Sequence, residues 1–431
     1  MMSLPQVLSG LLFLACLFLI FSEKLNRTIT AMVGAVIMVG LGKLLHFYSQ
    51  EQAVEAIDFN TVGLLLGMMT LVALLEPTGL FQFLAVWAGR LSRGSPKRLL
   101  ILLGVVTTVL SMFLDNVTTV VLIAPVTILI SEILGMNATP LLVAEALLSN
   151  TGGTATLIGD PPNVLIASAA GFSFVDFLTH SLPIVAVTWL VALGLLLWLF
   201  RKELSQVPMN SDAMMQLRPE ETIRDRKTML KTLMVLGVAI GLFLVAEPLE
   251  LSPSFIALGA GAMAFVWVRP QVNDALKRVD WSVLIFFIAL FVMVGGLEAS
   301  GLLHGLARVM LVGKELPGVL FGVSMIWVTS VLSAVVDNVP ITIALIPVLE
   351  DLALQGVNVN PLWWALAFGA GFGGNATIIG STANIIVVAL SEKTRTPITA
   401  RLWNRRGLPV MLVTCAVASL LYALMYPLLQ Q

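Results

Sequence analysis

Apolar runs long enough to cross a bilayer alternate with short polar stretches along the whole chain. They cover roughly 7–21, 28–45, 60–77, 99–131, 139–170, 181–200, 229–247, 253–268, 281–298, 319–349, 361–390 and 408–427. A helix needs about 20 residues to span the hydrocarbon core, so several of these runs are single crossings. Four of them are different. The runs 99–131 and 319–349, each about twice a half-span, hold Asp115-Asn116 and Asp337-Asn338 near their middles. A carboxylate is tolerated at membrane depth only where protein or a watery cavity surrounds it, so each run predicts a re-entrant hairpin with a polar tip. The runs 139–170 and 361–390 carry Gly152, Gly153 and Gly159, then Gly373, Gly374 and Gly380, with Pro161-Pro162 in the first only. Glycine and proline interrupt helical hydrogen bonding and predict two discontinuous helices, each with its own polar loop.

The two sets of unusual runs are copies of each other. At an offset of 222, Asp58 falls on Asp280, Glu76 on Glu298, Asp115 on Asp337, Asn116 on Asn338 and Pro125 on Pro347. At 221, Gly153 falls on Gly374, Thr156 on Thr377, Gly159 on Gly380 and Asn163 on Asn384. The expected organisation is a first repeat at 1–205, a linker at 206–225 and a second repeat at 226–431. Each half has three plain spans, a hairpin that returns to its own side, a broken helix and a final span. Five crossings is an odd number, so the second half is expected to be inverted.

Charge placement tests that topology independently. With the N-terminus outside, twenty of the 24 lysines and arginines fall on the linker side, leaving Lys43, Arg308 and Lys314 opposite and Lys231 at a boundary. The positive-inside rule then makes the linker cytoplasmic and both termini external, as expected of a bacterial inner-membrane protein. The first run is read as a retained span rather than a secretory signal, because no basic residue precedes Lys24.

Composition agrees with a polytopic all-α membrane protein: 58% of 431 residues are apolar, 11% are charged and the mean hydropathy is +0.97. There is no basic arm for nucleic acid. Cys16 and Cys415 are isolated in apolar runs, and His46, His180 and His304 show no ligand spacing, so no metal or other cofactor is expected. A pump would need a phosphate-binding loop, yet Gly42-Lys43 is followed by Leu44 and Gly313-Lys314 by Glu315. Neither HExxH nor GxSxG occurs, so a carrier is expected and not an enzyme. A channel would share the broken helices and differs in flux behaviour.

Two hairpin tips and two helix breaks meeting near the midplane would form the site. Asn116, Thr118, Thr119, Gly153, Thr154, Thr156, Asn163, Asn338, Gly374, Asn375, Thr377 and Asn384 are the expected substrate-binding residues, supplying amides, hydroxyls and freed backbone groups. The helix restarting near Asn163 adds the partial positive charge of an N-terminus. Asp115 and Asp337 have no Lys or Arg inside any apolar run to neutralise them, so they must take a proton or hold a cation. Asp160 and Glu145 face Ser381 and Leu366 in the second repeat, and this asymmetry makes them further candidates for proton or cation coupling. The plainer readings are tip caps for Asp115 and Asp337, and a helix cap for Asp160. Asp58 and Asp280 are expected as caps at span starts, and Glu76 and Glu298 as span ends or hinges.

Asp115-Asn116-Val117-Thr118-Thr119-Val120 with Pro125, followed by the stretch from Gly152 to Asn163, resembles the arsenite permease (ArsB) and P-protein branch of the ion transporter superfamily. The Asp160-Pro161-Pro162-Asn163 form is nearer to the P-protein and silicic acid efflux members. The resemblance spans the chain. It implies a fixed scaffold and an elevator-like moving part, and export of a metalloid hydroxy acid, arsenite or antimonite, in exchange for protons. It also implies a soluble ATPase subunit as a partner of some members. The alternative is a sodium-coupled or sodium/proton-exchanging carrier of an anion, because the same oxygen-rich cage suits sodium.

Overall fold

Polar side chains at the ends of the apolar runs start the helices. The structure, a computed structural model, describes residues 3–21, 25–206, 216–310 and 316–430. Lys24, Lys314 and linker positions 207–215 lie outside the described residues. Among the described residues all regular structure is helical. The main helices of the first half are α1 (Leu4–Phe21), α2 (Arg27–Leu44), α3 (Gln50–Glu55), α4 (Phe59–Leu75), α5 (Leu80–Ser92), α6 (Pro96–Phe113), α7 (Asn116–Leu134), α8 (Thr139–Gly153), α9 (Pro161–Ala170) and α10 (Leu182–Leu199). The same order returns as α11 (Arg226–Leu244), α12 (Pro253–Val268), α13 (Val272–Leu276), α14 (Trp281–Ala299), α15 (Leu302–Met310), α16 (Gly318–Val336), α17 (Asn338–Leu354), α18 (Asn360–Gly373), α19 (Thr382–Ser391) and α20 (Ala400–Leu429). Nine helical stretches among the described residues are long and apolar enough to cross a membrane.

Asn26 caps α2 by accepting the Thr28 and Ile29 amides, and Asp58 caps α4 through those of Asn60 and Thr61. Asp225 caps α11 and Asp280 caps α14 in the same manner. Such a cap contributes about 1 kcal/mol by satisfying amides that have no partner within the helix. Cys16 and Cys415 are buried, unbridged packing residues.

Two features depart from the apolar pattern. The hairpin arms α6, α7, α16 and α17 have 18, 19, 19 and 17 residues, longer than half-spans. They run on through charged positions such as Lys97, Arg98 and Glu132, because a helix outlasts the apolar segment that buries it. The short helices α5 and α15 join the third span of each half to its hairpin. Their 13 and 9 residues are too few to register as crossings.

One set of contacts pairs α4 with α12 and α2 with α14, exchanging helices between the halves. The α4–α12 crossing is close enough that a Cβ on Gly67 would lie 2.3 Å from the Ala257 carbonyl carbon. Small residues at such crossings let backbones approach where lipid offers no hydrophobic driving force. A second set holds the hairpins and broken helices: α6 on α8, α16 on α18, α7 on α19 and α17 on α9. The end of the linker docks on the turn after α4, where the Arg224 amide donates to the Thr78 carbonyl at 2.8 Å.

Candidate functional site

Each broken helix closes its gap in the same way. Asn163 donates its side-chain amide to the carbonyls of Gly153 (3.2 Å) and Thr156 (2.7 Å), and Asn384 donates to those of Gly374 (2.8 Å) and Thr377 (2.9 Å). Thr156 and Thr377 each accept the amide of the glycine three residues on, Gly159 or Gly380. Their hydroxyls donate to Met112 and Ala334 at the ends of α6 and α16. Four of the residues expected to bind substrate therefore clamp the breaks and tie them to the hairpins. Glycine is required where the loop crosses itself: a Cβ on Gly159 would sit 2.5 Å from the Gly153 oxygen and 2.6 Å from that of Ser111.

The two hairpin tips meet at Asp160. Asn116 donates to Asp160 Oδ1 at 3.3 Å, while Asn338 donates to Oδ1 at 3.3 Å and to Oδ2 at 3.0 Å. The carboxylate is 1% exposed, and the donors recorded for it are neutral amides. It occupies the N-cap position of α9 without capping it. The N-termini of α7, α9, α17 and α19 converge here, and their partial positive charges favour negative charge at the centre.

Asn150, a residue the sequence reading passed over, joins the two breaks. Its amide donates to Asn375 (3.0 Å) and Asn384 (2.9 Å), and its oxygen accepts from Asn116 (3.0 Å) and Ser381 (3.0 Å). Asn375 in turn donates to Thr151 at 3.1 Å. The signal was a Ser149-Asn150-Thr151 run inside an apolar helix, whose counterpart in the second half is Ala370-Gly371-Phe372. Thr154 packs where that counterpart is glycine, since a Cβ on Gly371 would fall 2.1 Å from the Thr154 hydroxyl.

The remaining acids part company. Asp115 caps α7, accepting the Thr118 amide at 2.8 Å and its hydroxyl at 2.5 Å. The position matching Thr118 in the second repeat is Pro340, which has no N–H to offer. Asp337 accordingly makes no side-chain cap, adopts a φ of 88°, and accepts from Thr382 at 3.3 Å, while its Oδ1 is buried without a hydrogen-bond partner. Thr382 itself accepts from Arg27, at the start of α2. No Lys or Arg lies inside an apolar run, yet Arg27, just ahead of the run that begins at 28, brings a cation to the cleft from a helix far away in sequence. Glu145 lies outside the cleft, fully buried between α7 and α8, as does the hydroxyl of Thr119, which has no partner.

Between the tips and the ends of α2 and α14 lies a narrow cleft with a cavity of about 40 Å³. Its charged lining is Asp115, Asp160, Asp280, Asp337 and Arg27, with Phe286 and Phe287 on the α14 wall. No cluster of three metal-ligating side chains occurs among the described residues. The cleft supplies carboxylate oxygens and amide groups, suited to a small cation or a hydrogen-bonding solute.

The model of the citrate transporter family, CitMHS, matches residues 17–369. The chain belongs to this family. A 46 kDa membrane protein of Mycobacterium leprae is 39% identical over 98% of this chain and 99% of its own length. The human P protein is 32% identical to this CitMHS chain over 93% of it, and 57% of the P protein is covered. Among solved structures, the YdaH transporter of Alcanivorax borkumensis superposes with a TM-score of 0.63 at 15% identity, covering 99% of both chains, which establishes the fold. The CitMHS chain is an integral membrane protein and a secondary transporter of this family.

Proposed function

We propose that this CitMHS chain exports a neutral metalloid hydroxy acid, arsenite or antimonite, in exchange for protons, as the arsenite permeases that it resembles do. The observation that carries this reading is the charge of the cleft: four aspartates against Arg27 as the one cation among the described residues of its lining. Such a lining repels an uncompensated polyanion and accepts an uncharged trihydroxy acid or a cation. Asp160 is the coupling residue, with Asp115 and Asp337 flanking it. A proton on Asp160 from the external side resets the empty carrier, and its release to the cytoplasm precedes substrate binding through Asn116, Asn338 and nearby backbone groups. The two halves, 1–205 and 226–431, lie inverted in a bacterial inner membrane with the linker cytoplasmic.

The test is arsenite accumulation by inside-out vesicles with an acidic lumen, with and without sodium. Accumulation that follows the pH gradient and ignores sodium is the expected result. Absence of flux, or flux that needs sodium, overturns the proposal.

A second reading, sodium-coupled transport of a carboxylate such as citrate, is favoured by the family's description and by Arg27. Arg27→Gln separates the two. We expect the arsenite KM to change by less than about threefold. Were citrate the cargo, loss of a charged hydrogen bond worth about 1.5–3 kcal/mol would raise its KM by about tenfold or more.

A further inference from the structure

Glu145 sits in the middle of α8 with 0% exposure, and no ion pair is recorded for it among the described residues. Its Oε1 accepts from the Thr127 hydroxyl on α7, and its Oε2 has no hydrogen-bond partner among the described residues. One turn below Thr127 on the same helix, Ser131 donates to the Thr127 carbonyl at 2.8 Å and lines a solvent-open cavity at the base of the first hairpin, beside Glu132, Asn137 and Arg395. In the other direction, Ser149 lies one turn along α8 from Glu145, next to the Asn150 hub. Its hydroxyl and that of Thr119 on α7 are buried without partners. A buried oxygen left without a partner costs about 1–3 kcal/mol, so a water or a proton that reaches these groups is stabilised there.

We propose that Glu145 is a second proton-carrying carboxyl, loaded from the cavity at the base of the first hairpin through the Thr127 hydroxyl and separate from the Asp160 cleft. In the loading step a water admitted past Ser131 gives a proton to Thr127 Oγ1 as Thr127 passes its own proton to the Glu145 carboxylate. This leaves hydroxide in the cavity and a neutral acid at Glu145, and release runs the same step backwards. The helices packed on α8 bring Glu132 on α7, Lys97 and Arg98 at the start of α6, and Arg401, Arg405 and Arg406 near the start of α20. None of these is paired with Glu145, and Arg406 is held by Glu203 at 2.9 Å. The inference rests on the proton-coupled reading above.

Infrared difference spectroscopy of the reconstituted full chain tests it without a transported substrate. A carboxylic acid carbonyl band should be lost in Glu145→Gln, persist in Asp160→Asn, and shift when the wild-type protein is moved into D2O. In Thr127→Val the band should remain but its shift should slow by about tenfold or more, since the relay oxygen is gone. A band that survives Glu145→Gln, that never shifts in D2O, or that shifts in Thr127→Val at the wild-type rate overturns the proposal. Should Glu145→Gln fail to fold, the wild-type and Thr127→Val exchange rates decide. Arsenite flux that fails to follow the pH gradient while these spectra behave as expected would count against the transport reading and leave the proton site standing.

Discussion

Asp160→Asn is expected to abolish pH-driven transport, by about a hundredfold or more, while the protein inserts and folds as before. Both tip amides reach Asp160 Oδ1, at 3.3 Å from Asn116 and 3.3 Å from Asn338. The amide oxygen of the substituted side chain keeps those two contacts, so the tips stay joined, while the 3.0 Å contact from Asn338 to Oδ2 is lost because an amide nitrogen cannot accept. The substituted group no longer takes and gives up a proton, and it weakens charge-assisted hydrogen bonds worth about 1.5–3 kcal/mol, a tenfold to hundredfold effect by itself. Arsenite flux into inside-out vesicles, alongside detergent melting of the purified variant, measures both halves of the expectation. Unaltered coupled flux would remove Asp160 from the mechanism. Asp115→Asn should have the smaller effect, because both Asp115 oxygens are already engaged by Thr118.

Gly159→Ala is expected to be among the most destabilising single changes. The added Cβ meets the carbonyl oxygens of Gly153 and Ser111 at 2.5 and 2.6 Å. Both are backbone atoms, and Asn163 and Thr156 hold the loop from the other side. Overpacking where neighbours cannot yield costs about 1–3 kcal/mol, and the upper end applies here. Gly194→Ala, in α10, provides the control, since nothing lies within 4 Å of its added carbon. There the melting temperature should hold or rise, alanine being the better helix former by about 1 kcal/mol. Equal melting of the two variants would show that the break is loose.

The hairpins and broken helices were legible because their signals are local: an acid, a glycine pair or a proline inside an apolar run has few structural solutions. Which polar side chain holds a break and which lines the cleft was not. Asn163 and Asn384 sit in the conspicuous motif, yet their amides are used by carbonyls within ten residues. Asn150 looked like one polar residue in an apolar helix, and its importance comes from Asn375 and Asn384, more than two hundred residues away. Arg27 follows the same logic, being brought to Thr382 by the exchange of helices between halves. The contrast between Asp115 and Asp337 was readable in principle, since Pro340 stands where Thr118 does and cannot be capped. The short α5 and α15 were not, because neither is long enough to show an apolar run.

The unequal endowment of the two copies has a consequence for how this protein can be rebuilt. Asp160, Glu145 and Asn150 of the first copy are answered by Ser381, Leu366 and Gly371 in the second. A hybrid made of two first copies would bring two aspartates together across the shared axis with Arg27-bearing helices on both sides. One made of two second copies would bring two serines together in place of Asp160, with Asp280 and Asp337 as the carboxylates left nearby. The halves keep the same backbone plan, but they have ceased to be interchangeable parts.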